Sequence, residues 1–225
     1  MKTTNHSEQD ARLVDALAGD DPSTRLQAAL SVGTLRNQRL AETLVARCAL
    51  EPDFFVRDML TWALCRLPAE ITVPRLLEEL GSDTAQARSQ AMHTLSKIGE
   101  RSAWPAVSTL LHDEHEEVAR SAWRAAVALV PPGEEGELAA DLATALGRGD
   151  RQMQQSLSRA LGTLGEAAAP ILDAAMTSPD PCVRAHAEAT ERLRRDPESG
   201  FTLSLEMAKS VAVTGPNTEK ETMEC

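Results

Sequence analysis

A repeating pattern of apolar and polar positions organises most of this chain. Arginine or glutamine recurs every 30 to 34 residues, and apolar side chains follow three, seven and ten residues later. This spacing places the apolar side chains on one face of a helix. The recurring polar positions, which we use as reference positions of six predicted first helices, are Arg25, Arg57, Arg88, Arg120, Gln154 and Arg184.

A second regularity lies six residues after each reference position, where every side chain is small: Ser31, Ala63, Thr94, Ala126, Ala160 and Thr190. A small side chain at a fixed place lets a neighbouring helix approach closely, as a regular stack requires. The apolar pattern fails only in the sixth helix, where Glu191 and Arg194 replace apolar residues. These two residues predict a solvated outer face for that helix.

Shorter apolar segments between the first helices predict five second helices, over residues 40–50, 73–80, 103–111, 137–146 and 168–176. Pro74, Pro105 and Pro170 are expected in the first turns of three of them, where a missing N–H costs nothing. The sequence therefore predicts an all-α fold of about five to six helical hairpins.

The ends of the chain depart from the repeat. Residues 1–19 predict a short capping helix, with residues 7–10 as its N-cap and first turn, that covers the apolar end of the first repeat. The repeats occupy residues 20–196. Residues 197–225 lack the pattern and end in a polar run, so we expect a largely flexible tail.

Composition narrows the class of protein. Aromatic residues make up 3% of the chain, with no tyrosine, which favours packed helices over a sheet. The net charge of −11 repels phosphate backbones and anionic membranes at long range, so nucleic acid and membrane partners are disfavoured. Four scattered cysteines without a CxxC pair, and no apolar run long enough for a signal peptide or membrane span, favour a cytoplasmic protein.

The repeat, written D-x-x-x-R-x-x-A-x-x-x-L and followed by a proline-initiated second helix, resembles the short HEAT-like repeats named after phycobilisome lyases. The resemblance covers residues 20–195 and departs from the pattern at Thr84 and Gln154. It implies a right-handed α-solenoid whose second helices line a concave face that holds a partner protein. The same fold hosts adaptors, lyase-like chaperones and DNA glycosylases.

An acid usually precedes each reference arginine by four residues. Such an acid can cap the helix N-terminus and pair with an arginine of the same or the adjacent repeat, which favours a structural ladder over an active site. The ladder comprises Asp21, Asp53, Glu116, Asp150 and Asp180 with Arg25, Arg57, Arg88, Arg120 and Arg184.

Charged residues of the second helices are the predicted partner-binding positions, together with Trp104 at the mouth of the third one. Their charge shifts from basic to acidic along the chain, a gradient that suits an extended peptide or an amphipathic helix. The set comprises Arg39, Arg47, Arg75, Glu78, Glu79, Trp104, Glu137 and Asp141. An ordinary solvated surface would account for the same pattern.

Candidate chemistry is sparse. His112 and His115, within a run of acids, are the metal-capable pair, but such acids are also typical of a helix start. No phosphate loop, HExxH motif or Ser-His-Asp order is present, and no cofactor is indicated. We therefore expect a non-catalytic scaffold or adaptor for a protein or peptide. The alternative is a lyase-like, chaperone-like or glycosylase-like protein that holds a small molecule or modified nucleotide.

Overall fold

The computed structural model describes residues 2–196, with side chains from Ser7 onward, so the predicted tail at 197–225 lies outside the described residues. Within this range the chain forms twelve α-helices and no β-strand. They are α1 (Lys2–Ala18), α2 (Pro22–Leu35), α3 (Ala41–Leu50), α4 (Phe54–Cys65), α5 (Ala69–Glu79), α6 (Ala85–Ile98), α7 (Trp104–Ser108), α8 (Glu116–Leu129), α9 (Glu135–Ala143), α10 (Arg151–Thr163), α11 (Ala169–Ala175) and α12 (Pro181–Arg195). The all-α prediction is confirmed, and the alternation of helices is that of a helical repeat protein.

The even-numbered helices from α2 to α12 are the six predicted first helices. Odd-numbered helices from α3 to α11 are the second helices, and short 3₁₀ turns at Gln38–Leu40, Arg101–Ala103 and Gly165–Ala167 precede three of them. The apolar side chains three residues after each reference position are all buried. Helical periodicity therefore identified the core position three residues after each reference residue, whereas Leu35, ten residues after Arg25, is 55% exposed.

The chain divides into two compact units, the first ending at Glu134 and the second beginning at Glu135. Helices α1 to α8 belong to the first unit and α9 to α12 to the second. The division falls beside Pro131-Pro132-Gly133, where Gly133 has a φ of 97° that favours glycine. The repeat region that the sequence predicts over 20–196 thus contains two compact units.

In the first unit, neighbouring first helices run parallel and pack closely. The hydroxyl oxygens of Ser89 on α6 and Ser121 on α8 lie 2.9 Å apart, and those of Thr61 on α4 and Thr94 on α6 lie 3.4 Å apart. The two residues of each pair are one repeat apart in the sequence. Residues at corresponding places of two neighbouring helices lie side by side in this way when the helices run parallel. Helices α3, α5 and α7 pack against these first helices and against the turns between them.

The leading helix is longer than predicted. Residues 7–10 lie inside α1 rather than at its start, because no proline or glycine interrupts the chain between Lys2 and Ala18. Helix α1 packs on α2, and Leu17 contributes to the core. Asp10 accepts hydrogen bonds from the side chains of Asn37 (2.5 Å) and Arg39 (2.6 Å), which hold α1 against the turn before α3.

Two further sequence expectations are wrong. Pro74 lies inside α5 rather than in its first turn, because the helix begins at Ala69. Proline has no N–H to pair with the carbonyl four residues earlier. Pro74 is on an exposed side of the helix, where water can hydrogen-bond to that carbonyl instead. Glu191 is buried in the second unit, where it accepts hydrogen bonds from Arg194 and Arg195 at 2.6–3.0 Å. An arginine-paired carboxylate can be buried, so polarity alone did not identify a solvated face.

The second unit has its own core, in which α10 packs along α12 while α9 and α11 cover them. His186 of α12 is completely buried there. Its Nδ1 accepts the Gly147 N–H at 3.0 Å, and its Nε2 lies 3.0 Å from both the Gln154 carbonyl and the Ser158 hydroxyl. Burial lowers the pKa of His186 to about 4, although the bond to the Gln154 carbonyl opposes the shift.

Candidate functional site

Aspartates at the helix starts act as N-caps. The carboxylates of Asp21, Asp53, Asp150 and Asp180 accept backbone N–H groups two or three residues later at 2.8–3.0 Å. Glu116 does not cap, because α8 begins one residue earlier in the repeat and His115 occupies the N-cap position. The acids of the predicted ladder therefore satisfy orphan donors of their own helices.

Reference arginines bind the backbone of the preceding loop rather than the capping aspartates. Nη1 of Arg25, Arg57 and Arg184 donates to the carbonyls five and six residues earlier at 2.6–2.9 Å. Arg88 donates to the carbonyl of Ser82 at 2.7 Å. Each of these arginines ties the end of one second helix to the next first helix, so its guanidinium is committed to the stack.

Two buried acids outside the predicted ladder complete it. Glu51 has no exposed side-chain surface and receives Arg25 at 2.7 and 2.8 Å and Arg47 at 2.9 Å. Burial raises the pKa of the Glu51 carboxyl, but hydrogen bonds from Arg25, the Asp53 amide and Arg47 outweigh this effect and lower the pKa to about 2. Asp113 receives Arg88 through two bonds of 3.1 Å. Each pair joins a first helix to the segment after the second helix of the same hairpin, with acids that sequence spacing did not identify.

Arg120 and Gln154, the fourth and fifth reference residues, leave some of their hydrogen-bonding groups without a partner. In the described part of the chain, Nε of Arg120 and Oε1 of Gln154 are buried without a hydrogen-bond partner. Gln154 keeps only the loop contact, from Nε2 to the Gly149 carbonyl at 3.3 Å. Within residues 7–196, neither Arg120 nor Gln154 is paired with an acid as Arg25 is with Glu51 and Arg88 with Asp113.

Several predicted partner-binding residues make internal contacts. Arg47 is bound to buried Glu51, Arg39 pairs with Asp10 at 2.6 Å, and Arg75 donates to the Ile71 carbonyl at 2.6 Å. Trp104 is half-buried and donates Nε1–H to Glu134 at 3.0 Å. Glu78 and Glu137 are exposed, whereas Glu79 and Asp141 are half-buried. Those of the first unit make their contacts at separate places, Arg39 with Asp10, Arg47 with Glu51 and Trp104 with Glu134.

The metal-capable pair is divided between two environments. His115 lies 3.1 Å from Nη2 of Arg88 and 3.4 Å from Asp113, and thus belongs to the ladder, while His112 is exposed. Among residues 7–196, no three His, Cys, Asp or Glu side chains are grouped closely enough to hold a metal ion.

The exposed aromatic side chains lie on α4. Phe54 is 65% exposed, Phe55 70% and Trp62 37%, in a chain with only three phenylalanines and three tryptophans. Phe54 and Phe55 form an edge-to-face pair with centroids 5.7 Å apart. By contrast, Trp123 is buried and donates to the Leu111 carbonyl at 2.9 Å. Exposed clusters of large apolar side chains are typical of interaction sites.

An open cavity of about 340 Å³ is lined by Phe54, one of these aromatics, and crosses three parallel helices of the first unit. Helices α4 and α6 meet at Thr61 and Thr94, and the residues that line the cavity precede this contact on both helices. The lining includes the Ser89–Ser121 hydroxyl pair. We call this region the α4–α6–α8 surface, which comprises Phe54, Asp58, Gln90, His93, Glu117 and Arg124.

His93 is the titratable group at the centre of this surface. Burial lowers the pKa of His93, and the nearby charges of Lys97 and Arg124 lower it further, while Asp58 opposes them. The imidazole is therefore neutral at pH 7. Arg124 stands beside it, with Nε 3.2 Å from the Arg120 carbonyl and Nη2 3.3 Å from Ser121 Oγ.

Among the described residues, the carboxyl groups with shifted pKa values all shift in one direction. The carboxyls with shifted pKa values are Asp21, Glu51, Asp113 and Glu191, and every one of these pKa values is lowered. A general acid at neutral pH would instead need a raised pKa. Burial also raises the pKa of the Cys48 thiol to about 12, which makes it a poor nucleophile.

Sequence reasoning treated Trp62 as a packing residue and gave no role to Phe54 and Phe55. A signal was present in the sequence. Two phenylalanines directly after a capping aspartate are adjacent in the helix, so their side chains point in different directions and cannot both lie on its buried face. The cavity had no comparable signal. It depends on where α4 and α6 diverge, which tertiary packing decides.

No protein-family model matches the sequence, and no curated protein matches it. Among solved structures, the chain is similar to engineered proteins determined by the Northeast Structural Genomics Consortium. Two of them are 20% identical over 82% of this chain, with TM-scores of 0.44 and 0.46 and coverage of 95% and 97% of their own chains. A likeness of this extent carries no information about function. None of the helices within residues 2–196 is both long and apolar enough to cross a bilayer.

Proposed function

We propose that this protein is a non-catalytic interaction module built from HEAT-like helical repeats, and that it binds a polypeptide segment of a partner. The repeated N-caps, arginine–carbonyl bonds and hydroxyl pairs support the repeat assignment, and the resemblance of the D-x-x-x-R motif supports the HEAT-like type and a solenoid form. Repeat proteins of this kind present extended surfaces to their partners.

The binding surface in this proposal is the α4–α6–α8 surface rather than the charged positions of the second helices. The observation that carries it is the exposure of Phe54, which lines an open cavity and packs edge-to-face on the exposed ring of Phe55. Aromatic anchors next to a pocket provide most of the energy in many protein interfaces. Arg39, Arg47 and Arg75, in contrast, already make internal bonds.

Two properties favour a binding module over the lyase-like or glycosylase-like alternative. The cavity is open and crosses three helices, whereas an enclosed pocket with convergent polar groups would suit a small molecule better. The lowered pKa values of the shifted carboxyls also suit ion pairing rather than acid catalysis.

Peptide selection tests the proposal. The full chain is immobilised, a random peptide-display library is selected on it, and enriched peptides are titrated in solution by fluorescence polarisation. Replacing Phe54 with serine should weaken their binding about tenfold or more, because burial of one phenylalanine is worth about 1.5–3 kcal/mol. Since Phe54 is mostly exposed, the melting temperature should hardly change.

Glu78→Lys on α5 is the matched control, because Glu78 is exposed on the other predicted surface. It should leave the affinity of the peptides unchanged. If Glu78→Lys abolishes binding and Phe54→Ser does not, the second helices form the binding surface. If no peptide is enriched over bare support, the interaction-module proposal fails.

A further inference from the structure

Two cationic side chains lie at one end of the α4–α6–α8 surface. Lys97 follows His93 by about one turn on α6 and is close enough to influence the titration of both Cys65 and His93. Arg124 of α8 lines the cavity with His93 and also influences its titration. We call Lys97 and Arg124 the basic end of the surface.

The basic end follows from the parallel order of the first helices. Because α4, α6 and α8 run in one direction, their C-terminal halves share one side of the surface, and cations are stabilised near helix C-termini. Asp58 and Glu117 lie nearer the N-terminal ends of α4 and α8. The surface is thus graded from acidic to basic, in a chain whose net charge is −11.

His93 lies between the aromatic side chains and the basic end. It lines the cavity with Phe54 and Arg124. Within the described residues, no hydrogen bond of its imidazole is found, and the ring is half-buried rather than enclosed. A ring nitrogen that faces an open cavity beside two cations is suited to meet an anionic group.

We propose that the basic end receives carboxylates of an acidic partner segment, whose apolar side chain packs on Phe54. This inference rests on the proposed function, and it specifies the chemistry of the partner. Charge complementarity supports a carboxylate, because Lys97 and Arg124 can both reach an anion placed beside His93. A nucleic acid is less suited, because Asp58 and Glu117 would repel a phosphate backbone that extends across the cavity.

The same geometry predicts that binding takes up a proton. The charged groups that face His93 are Asp58 on α4, Lys97 on α6 itself and Arg124 on α8, while Arg57 and Glu117 also line the cavity. A bound carboxylate adds a negative charge beside the imidazole and raises its pKa. The affinity should therefore increase as the pH falls from 8 to 6, where glutamates of the peptide remain ionised.

The probe is a short fluorescein-labelled peptide of glutamates with one central phenylalanine, and its control carries glutamine in place of every glutamate. The acidic peptide should bind the full chain at low salt at least about tenfold more tightly than the glutamine peptide. Lys97→Gln combined with Arg124→Gln should remove most of that preference. Calorimetry in two buffers of different ionisation enthalpy should detect proton uptake, which His93→Gln should abolish.

Melting temperatures of the variants identify any loss of fold, and Lys97→Gln alone provides a milder change on an exposed residue. Equal binding of the acidic and glutamine peptides would overturn the inference, as would tighter binding of a single-stranded oligonucleotide. Library-selected peptides that are neutral or basic but still require Phe54 would refute this inference alone and leave the proposed function intact. A library that yields no binder would refute the proposed function itself.

Discussion

Replacing Gly33 with alanine should destabilise the first unit, although alanine is the better helix former. An ideal Cβ on Gly33 would lie 2.5 Å from Cζ3 of Trp62 and 2.9 Å from Cα of Ala63. Non-bonded carbon atoms prefer about 3.5–4.0 Å. The partly exposed Trp62 ring can turn away, but the Ala63 contact is to backbone, so α2 and α4 would have to separate.

Two opposing contributions set the magnitude of this effect. Alanine in place of glycine inside a helix gains about 1 kcal/mol, while overpacking of a close contact costs about 1–3 kcal/mol. We therefore expect a net loss of roughly 1 kcal/mol. Gly162 on α10 is the matched control, because no atom lies within 4 Å of its ideal Cβ. Gly162→Ala should gain the helix contribution alone, so the two variants should differ by about 2 kcal/mol.

Urea unfolding measures both variants. All three tryptophans, Trp62, Trp104 and Trp123, lie in the first unit, so their fluorescence follows the unfolding of that unit. Circular dichroism reports the helices of both units, so for the Gly162→Ala control the transition of the second unit is the part of that signal that tryptophan fluorescence does not follow. If Gly33→Ala stabilises the first unit as much as Gly162→Ala stabilises the second, the close approach of α2 to α4 is refuted.

Three further substitutions have expected outcomes. Glu51→Gln should cost about 3 kcal/mol of unfolding free energy by leaving Arg25 without its buried partner. Because the pKa of Glu51 is lowered from its ordinary 4.5, the wild type should lose stability as the pH falls from 4.5 towards 2. Urea titrations should show that Glu51→Gln lacks this pH-dependent loss. The pKa of His186 is lowered from 6.5 to about 4, so the unfolded chain binds the extra proton in this range. The free energy of unfolding of the wild-type second unit should therefore fall by about 3 kcal/mol as the pH decreases from 6.5 to 4. His186→Gln should remove this pH dependence from the unfolding transition of the second unit, followed by circular dichroism. Asp53→Ala should lower stability by about 1 kcal/mol through loss of the α4 N-cap, and a melting temperature equal to that of the wild type would contradict this role.

Periodicity sufficed to predict the first helices because each repeats the same local requirements. The cap, the arginine and the apolar residues all lie within one helix, so their spacing is visible in the sequence. The second helices were located less well, as Pro74 illustrates: a proline on the exposed side of a helix does not mark its start. Their boundaries depend on packing against α4 and α6 rather than on local signals.

The candidate site could not be predicted because its components come from different repeats. Phe54, His93 and Arg124 are 31 to 70 positions apart, and none repeats a residue type found at equivalent places. Glu51 was missed for a related reason. A carboxylate at the end of α3 looks solvated in the sequence, and its burial depends on pairing with Arg25 from α2 and with Arg47.

Stability and recognition are therefore assigned to different residues of the same helices. The reference arginines donate to loop carbonyls and buried acids, and the small residues bring parallel helices together, so both are used within the stack. Other positions of the first helices differ from repeat to repeat, as Phe54, His93 and Arg124 do. Because α4, α6 and α8 run parallel, these three residues of different repeats line one cavity, and the surface combines aromatic, imidazole and cationic groups. Such a surface can change its partner without altering the contacts that maintain the repeat.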